Sequence, residues 1–164
     1  LDAGCGHAEL ALAAAANGHP VVGIDLAPTA VAAAAKEAAR RGLTRATFVA
    51  ADITTFTGYD ERFGTIFDST LFHSLPIEGR DGYLRSIHRA AAPGARYYVL
   101  VFAQGAFPPD MEVKPHEVAE EELRAAVSKY FTVEGMPAPP SEAPRDEKGR
   151  LKLPAYLLTA HKAG

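Results

Sequence analysis

The chain has 164 residues, 48% hydrophobic and 23% charged, with a formal net charge of −3, which fits one soluble globular domain around a single core. That slight negative charge provides no electrostatic footprint for nucleic acid, and no apolar run approaches the roughly 20 residues that span a bilayer, so neither partner is expected. The single cysteine, Cys5, excludes an internal disulfide and any multi-cysteine zinc site; no metal is expected, and a reducing, cytoplasmic setting suits it.

The first eight residues, Leu1-Asp2-Ala3-Gly4-Cys5-Gly6-His7-Ala8, read as the end of a buried strand turning through glycines into a helix. Gly4 and Gly6 let the backbone turn tightly and approach a ligand, and the helix behind them presents free N–H groups. Natural strands average about 5–6 residues, so the central strand that this loop implies is expected to begin upstream of Leu1. A helix over residues 9–17 stops at the C-cap signal Asn17-Gly18. Residues 20–25 are a short apolar run with the look of a strand buried on both faces. Residues 27–41 are helical, with Pro28 in the first turn, Lys36, Arg40 and Arg41 late, and an alanine stripe that allows close packing on a sheet. Residues 46–50 and 65–72 read as the third and fourth strands. A helix over 79–92 is stopped by Pro93-Gly94, and 96–102 is the fifth strand. A proline-containing loop covers 105–115, and a helix over 117–130 carries Glu117, Glu120, Glu121 and Glu122 in its first turns, beside the positive end of its dipole. Residues 131–136 and 155–161 are two last strands, joined by a proline-rich, charged loop over 137–153.

Strand–helix alternation that ends in two strands with no helix between them predicts an α/β fold. The expected architecture is a doubly wound, mostly parallel sheet with a terminal antiparallel strand, in a three-layer α/β/α sandwich. One domain covers residues 1–164.

Two glycine-rich cofactor loops fit the opening, and the third small position separates them. A dinucleotide fingerprint, G-x-G-x-x-G/A, starting at Gly4 needs a small residue at position 9, which is Glu9. The pattern D-x-G-x-G-x-A over residues 2–8 instead resembles motif I of the Rossmann-like S-adenosylmethionine (SAM) methyltransferases, with Ala8 where that family often has a third glycine. The resemblance implies seven strands with the last inserted antiparallel, SAM as cofactor with S-adenosylhomocysteine (SAH) as product, and N-terminal helices, expected upstream, that cover the cofactor. An NAD(P)-dependent oxidoreductase, which shares the glycine loop, and a non-catalytic SAM-binding protein are the alternatives.

Ligands of an open α/β sheet bind beyond the carboxyl ends of its strands, where Asp2, Asp25 and Asp52 all fall. Asp25 follows the glycine loop by about 20 residues, where a carboxylate accepts hydrogen bonds from both ribose hydroxyls, as in NAD enzymes too. By resemblance, Asp52 and the Ile53 backbone take the adenine, and Leu26 lies against its face. The same resemblance puts Asp2 near the amino-acid end, where the Gly4 carbonyl and the backbone around Ser69 would take the ammonium. Singly, each acid could instead cap the next helix; in register with Gly4 and Gly6 they form one site. Cys5 and His7 read as backbone spacers.

The fourth strand ends Asp68-Ser69-Thr70-Leu71, not in the Asn/Asp-Pro-Pro-aromatic signature of methylation at planar amide or adenine nitrogens, and no Pro-Cys pair serves cytosine C5 chemistry. A small molecule with an oxygen, sulfur or nitrogen nucleophile remains. Residues 67–75 resemble bacterial small-molecule methyltransferases of the thiopurine- and quinone-methyltransferase-like branch. Methyl transfer from a sulfonium is an in-line displacement that needs positioning in a dry pocket, and a base only where the acceptor arrives protonated. His73, just past the fourth strand and facing the pocket by resemblance, is the candidate catalytic base or orienting group; the competing reading is a histidine that hydrogen-bonds the following loop. Phe72, Phe107 and Met111 lie beyond strand ends and are expected to line an apolar acceptor pocket with His73. Against that, Phe107 and Met111 could simply pin their own loop. Nothing in the sequence specifies an oligomeric state or the acceptor.

Overall fold

The computed structural model describes residues 1–108, 110–112, 114–137, 147 and 152–164. The apolar runs Val21–Asp25 (β2) and Ala46–Ala50 (β3) pair in parallel, from Val21 opposite Ala46 to Asp25 opposite Ala50. β1 (Asp2–Ala3) lies between β2 and β4 (Phe63–Ser69), parallel to both. β5 (Ala91–Phe102) continues the parallel sheet; β6 (Thr132–Gly135) and β7 (Ala155–His161) complete it. The strand order is β3-β2-β1-β4-β5-β7-β6, and β7 is antiparallel to both of its neighbours, so it alone runs against the rest.

The helices α1 (Glu9–Ala16) and α2 (Pro28–Arg40) lie on one face of this sheet, and α3 (Ile77–Ala90) and α4 (Glu120–Val127) on the other. Small side chains set the first contact: Ala11, Leu12, Ala34 and Ala38 are buried against Phe48, which lets the helices approach the sheet closely. The second face holds the larger core, with Ile66, Leu84, Ile87, Val99, Leu123 and Leu158 all buried. Stripping such side chains of water is the main favourable term in folding. Among the described residues no helix is long and apolar enough to cross a membrane.

Several element boundaries differ from those expected. β4 ends at Ser69, not at 72, because Thr70 takes φ 74°, and a short 3-10 turn, Phe72–Ser74, follows. α3 passes into β5 without a loop: Pro93-Gly94 falls within the strand, in a register shift between the pairs Phe63–Ala91 and Thr65–Arg96. Such a bulge accommodates both a missing N–H donor and the φ of 75° at Gly94. Lys162 closes α3 instead, its Nζ donating to the carbonyls of His88 at 3.0 Å and Ala91 at 2.8 Å. α4 starts at Glu120, because Val118 bridges to Ala103 and Glu117 turns to the preceding loop. Of the expected loop over 137–153, residues 138–146 and 148–151 lie outside the described residues.

Candidate active site

The strand order reverses between β1 and β4, and the crevice beyond the carboxyl ends at such a reversal is where open α/β sheets bind ligands. Gly4 follows β1 and Ser69 ends β4, and both line a cavity of about 430 Å³ with Asp2, His7, Ala8 and Glu9. A second cavity of about 420 Å³ opens at the opposite end of the strands, beside Val21, Arg62 and Thr65, away from the strand ends where ligands bind.

Left-handed conformations at Gly4 (φ 67°), Gly6 (φ 50°) and Ala8 (φ 60°) shape the loop. A Cβ on Gly4 would lie 2.7 Å from Leu71 Cδ1, so the loop and the turn after β4 meet without room for a side chain. A Cβ on Gly6 would meet nothing within 4 Å. Asp25 braces this loop: its Oδ2 accepts the Gly6 N–H at 2.8 Å and its Oδ1 the Ala27 N–H at 2.9 Å. Each carboxylate oxygen retains a further lone pair. Asp2 is buried, and its Oδ2 accepts the Ala11 N–H at 3.0 Å, satisfying one free donor of the first turn of α1; burial raises its carboxyl above the usual range. Cys5 is more than a spacer: its Sγ would be 2.9 Å from a Cβ on Gly23, so it fills the space between loop and β2. Burial, with Asp2 and Asp25 nearby, pushes its thiol up to about 12, which leaves it no nucleophile. His7 is exposed, as a spacer would be.

The Ala51 N–H donates to the Asp25 carbonyl at 3.0 Å and brings the segment after β3 beside this acid. Asp52 Oδ1 accepts from the Thr54 hydroxyl at 2.7 Å and the Thr54 N–H at 2.9 Å, and these two bonds hold its carboxyl below the usual range. Among the described residues Oδ2 accepts no hydrogen bond and the Ile53 N–H donates none, a free acceptor beside a free donor. Leu26 is 74% exposed next to Asp25, an apolar surface open to a flat ring. An exposed apolar face, a free donor–acceptor pair, a braced carboxylate and a loop without side chains at Gly4 and Gly6 together fit a nucleoside cofactor. The structure thus gathers Asp2, Gly4, Gly6, Asp25, Leu26, Asp52, Ile53 and Ser69 along one edge of the sheet.

Of the four residues expected to line an acceptor pocket, Phe72, His73 and Phe107 are buried and Met111 is exposed. Phe72 has no exposed surface; its ring lies under the Arg80 guanidinium, 4.7 Å from the centroid, and it belongs to the core, where it borders a small cavity of about 180 Å³ with Arg80, Leu84 and Glu122 and not the larger one beside Gly4 and Ser69. Arg80 is itself buried and paired with Glu122 across α3 and α4. His73 is 3% exposed, stacks on Phe102 at 4.9 Å between centroids, and accepts the Phe102 N–H on Nδ1 at 3.3 Å. It ties the turn after β4 to the end of β5. Because Nδ1 is the acceptor, the ring proton sits on Nε2. Burial, then the nearby Arg80 and His116, lower the pKa of His73 and so disfavour its charged form. Phe107 meets the same Phe102 ring edge-on at 4.9 Å and is buried, whereas Met111 is 45% exposed.

Two acids, Glu117 and Asp68, hold roles that their places in the sequence do not announce. Glu117 accepts the Gly105 N–H at 3.0 Å and the Phe107 N–H at 2.9 Å, so it fastens the loop after β5, and these bonds lower its carboxyl pKa. Asp68, buried at the end of β4, accepts the Tyr83 hydroxyl at 2.8 Å, and the Tyr97 hydroxyl lies 3.3 Å from that of Tyr83. Burial pushes Asp68 up to about 7, against the lowering effect of its hydrogen bonds. An acid inside an otherwise apolar strand was the available signal.

A family model described as a methyltransferase domain matches residues 1–94, more than half of the chain. A curated relative from Mycobacteroides abscessus, 2-heptyl-1-hydroxyquinolin-4(1H)-one methyltransferase, is 63% identical over 134 residues, 82% of this chain and 59% of its own length. The chain therefore spans about three-fifths of that relative. A Burkholderia thailandensis 1,6-didemethyltoxoflavin-N1-methyltransferase, solved with 1,6-didemethyltoxoflavin and SAH, superposes with a TM-score of 0.75 at 26% identity, over 99% of this chain and 70% of that one. A SAM-dependent methyltransferase from Methanosarcina mazei shares the fold, with a TM-score of 0.82 at 21% identity, over 99% of this chain and 91% of that one. The chain belongs to the methyltransferase-domain family.

Proposed function

We propose that this chain transfers a methyl group from SAM to a heteroatom of a small, planar heteroaromatic acceptor of the hydroxyquinolone kind. The 63% identity to a methyltransferase of such a compound carries this reading. The cavity at the β1–β4 reversal supports it, since it lies where a class of ligand-binding sheets places its cofactor. When bound, SAM supplies a methyl group already activated on its sulfonium.

Asp25 holds the ribose hydroxyls with the lone pairs left over from Gly6 and Ala27, while Asp52 and the Ile53 N–H take the adenine edge and Leu26 covers its face. Gly4, Ser69 and Asp2 border the amino-acid end. His73 enters as a neutral Nε2–H donor that orients the acceptor, not as a base, because Nδ1 is engaged by Phe102. The acceptor's nucleophile then arrives ionised, as an acidic hydroxyl does near neutral pH. Phe107 and the exposed Met111 form the apolar rim of its pocket. The partner is a small molecule and the setting is cytoplasmic, which suits the lone, unreactive Cys5 thiol.

Incubation of the chain with methyl-labelled SAM and 2-heptyl-1-hydroxyquinolin-4(1H)-one, followed by mass spectrometry, tests the reading. A labelled, O-methylated quinolone is expected; bound SAM with no labelled product from this or related hydroxyquinolones overturns the acceptor class.

A further inference from the structure

We propose that Asp68 is a positioning residue for the cofactor, acting through the turn that it ties down after β4 and that closes on the glycine loop. This role rests on the methyl-transfer reading.

The carboxylate is 2% exposed and stands one residue before Ser69, which lines the cavity. Its Oδ1 accepts the Leu71 N–H at 2.8 Å, and the Phe72 N–H points between its two oxygens at 3.3 and 3.1 Å. Tyr83 of α3 donates its hydroxyl to Oδ2 at 2.8 Å, with the Tyr97 hydroxyl of β5 3.3 Å behind it. Two elements outside the turn therefore fix the direction of this carboxylate, and the carboxylate fixes two successive N–H groups of the turn.

An apolar side chain of similar volume would fill that place without the cost of burying a charge, so packing alone does not account for an acid there. What the acid supplies is orientation. Between its anchor points Thr70 is held at φ 74°, a conformation unfavourable for a β-branched residue and maintained only where surrounding bonds over-determine it. The reward is the placement of Leu71 against Gly4, occupying the space a Cβ would need, and of Ser69 at the cavity wall. A turn released from Asp68 relaxes at Thr70, moves Leu71 off Gly4 and displaces the wall beside Ser69.

The test is titration calorimetry with SAH on the parent chain, Asp68→Ala, Asp68→Asn and Tyr83→Phe, each measured below its melting temperature and paired with amide hydrogen exchange. Leu123→Ala, which removes a buried side chain from α4, controls for lost stability. Asp68→Ala is expected to weaken SAH by about tenfold or more and Tyr83→Phe by about threefold, with faster exchange at Leu71 and Phe72 in both. Asp68→Asn keeps an acceptor for the two N–H groups and should stay within about threefold of the parent, whereas Leu123→Ala should melt lower and bind SAH as the parent does. If Asp68→Ala does not fold, Tyr83→Phe decides alone. Parent-like affinity in folded Asp68→Ala and Tyr83→Phe, or an equal loss in Leu123→Ala, overturns the positioning role. Failure of the parent itself to bind SAH overturns the methyl-transfer reading and this role with it.

Discussion

For His73 one hydrogen bond bears on two roles for the same side chain, proton acceptor or neutral donor. With Phe102 donating to Nδ1, the imidazole can take a proton from an acceptor only by breaking that bond, and the lowered pKa opposes the charged form. His73→Ala should therefore cost about 2 kcal/mol of stability, through the lost stack and hydrogen bond. Its turnover on an ionised acceptor should fall by less than about tenfold, where loss of a general base costs roughly 10²-fold or more. A hundredfold loss of turnover with SAH affinity intact would return the base role to His73. The stability difference has a pH signature as well. The unfolded imidazole titrates near about 6.5, while the folded one resists protonation until lower pH. Below about 6.5 the unfolded state binds the extra proton, so the stabilisation due to His73 shrinks on acidification. Melts of parent and variant from neutral to mildly acid pH measure this. At this scale the acids at strand ends were legible, because Asp25 and Asp52 follow short apolar runs and end them. The Asp68 network was not, because Tyr83 lies 15 positions away on another element and meets Asp68 only once α3 packs on the sheet.

At the scale of elements, strands bounded by turn chemistry were legible to the residue: β3 and β7 occupy the runs expected of them. Boundaries were missed where a side chain competes with the backbone pattern. Asp68 pulls the turn out of β4, Glu117 leaves its helix to bind the Gly105 and Phe107 N–H groups, and Lys162 closes α3 where Pro93-Gly94 was expected to. The glycine loop is legible as a motif, but its tightest constraint is a contact with Leu71, remote in sequence. Gly4→Ala should cost roughly 2–3 kcal/mol, about 1 from a left-handed alanine and the rest from displacing Leu71. Gly6→Ala, whose Cβ meets nothing within 4 Å, should cost only about 1 kcal/mol. Denaturant unfolding of the two variants compares them directly; equal losses would mean that Leu71 yields freely and does not constrain the loop.

For the molecule as a whole, the order β3-β2-β1-β4-β5-β7-β6 turns a linear pattern of strands and helices into one crevice. β1 and β4, 60 residues apart in sequence, become neighbours, and Gly4, Ser69 and Asp25 converge although no two of them share an element. The doubly wound architecture was legible because alternation and right-handed crossover leave few topologies open. The burial of Phe72 was not, since aromatic residues just past strand ends serve core and surface alike, and only the packing of α3 on the sheet encloses it. On the proposed function this crevice holds SAM and its product. Isothermal titration of the chain with SAH and with NAD, repeated on Asp25→Ala, tests it most directly. Micromolar SAH binding, about −8 kcal/mol, no detectable NAD binding, and a loss of roughly 1.5–3 kcal/mol in Asp25→Ala are expected. Binding of NAD in preference to SAH, or an Asp25→Ala variant that binds SAH as the parent does, would contradict it.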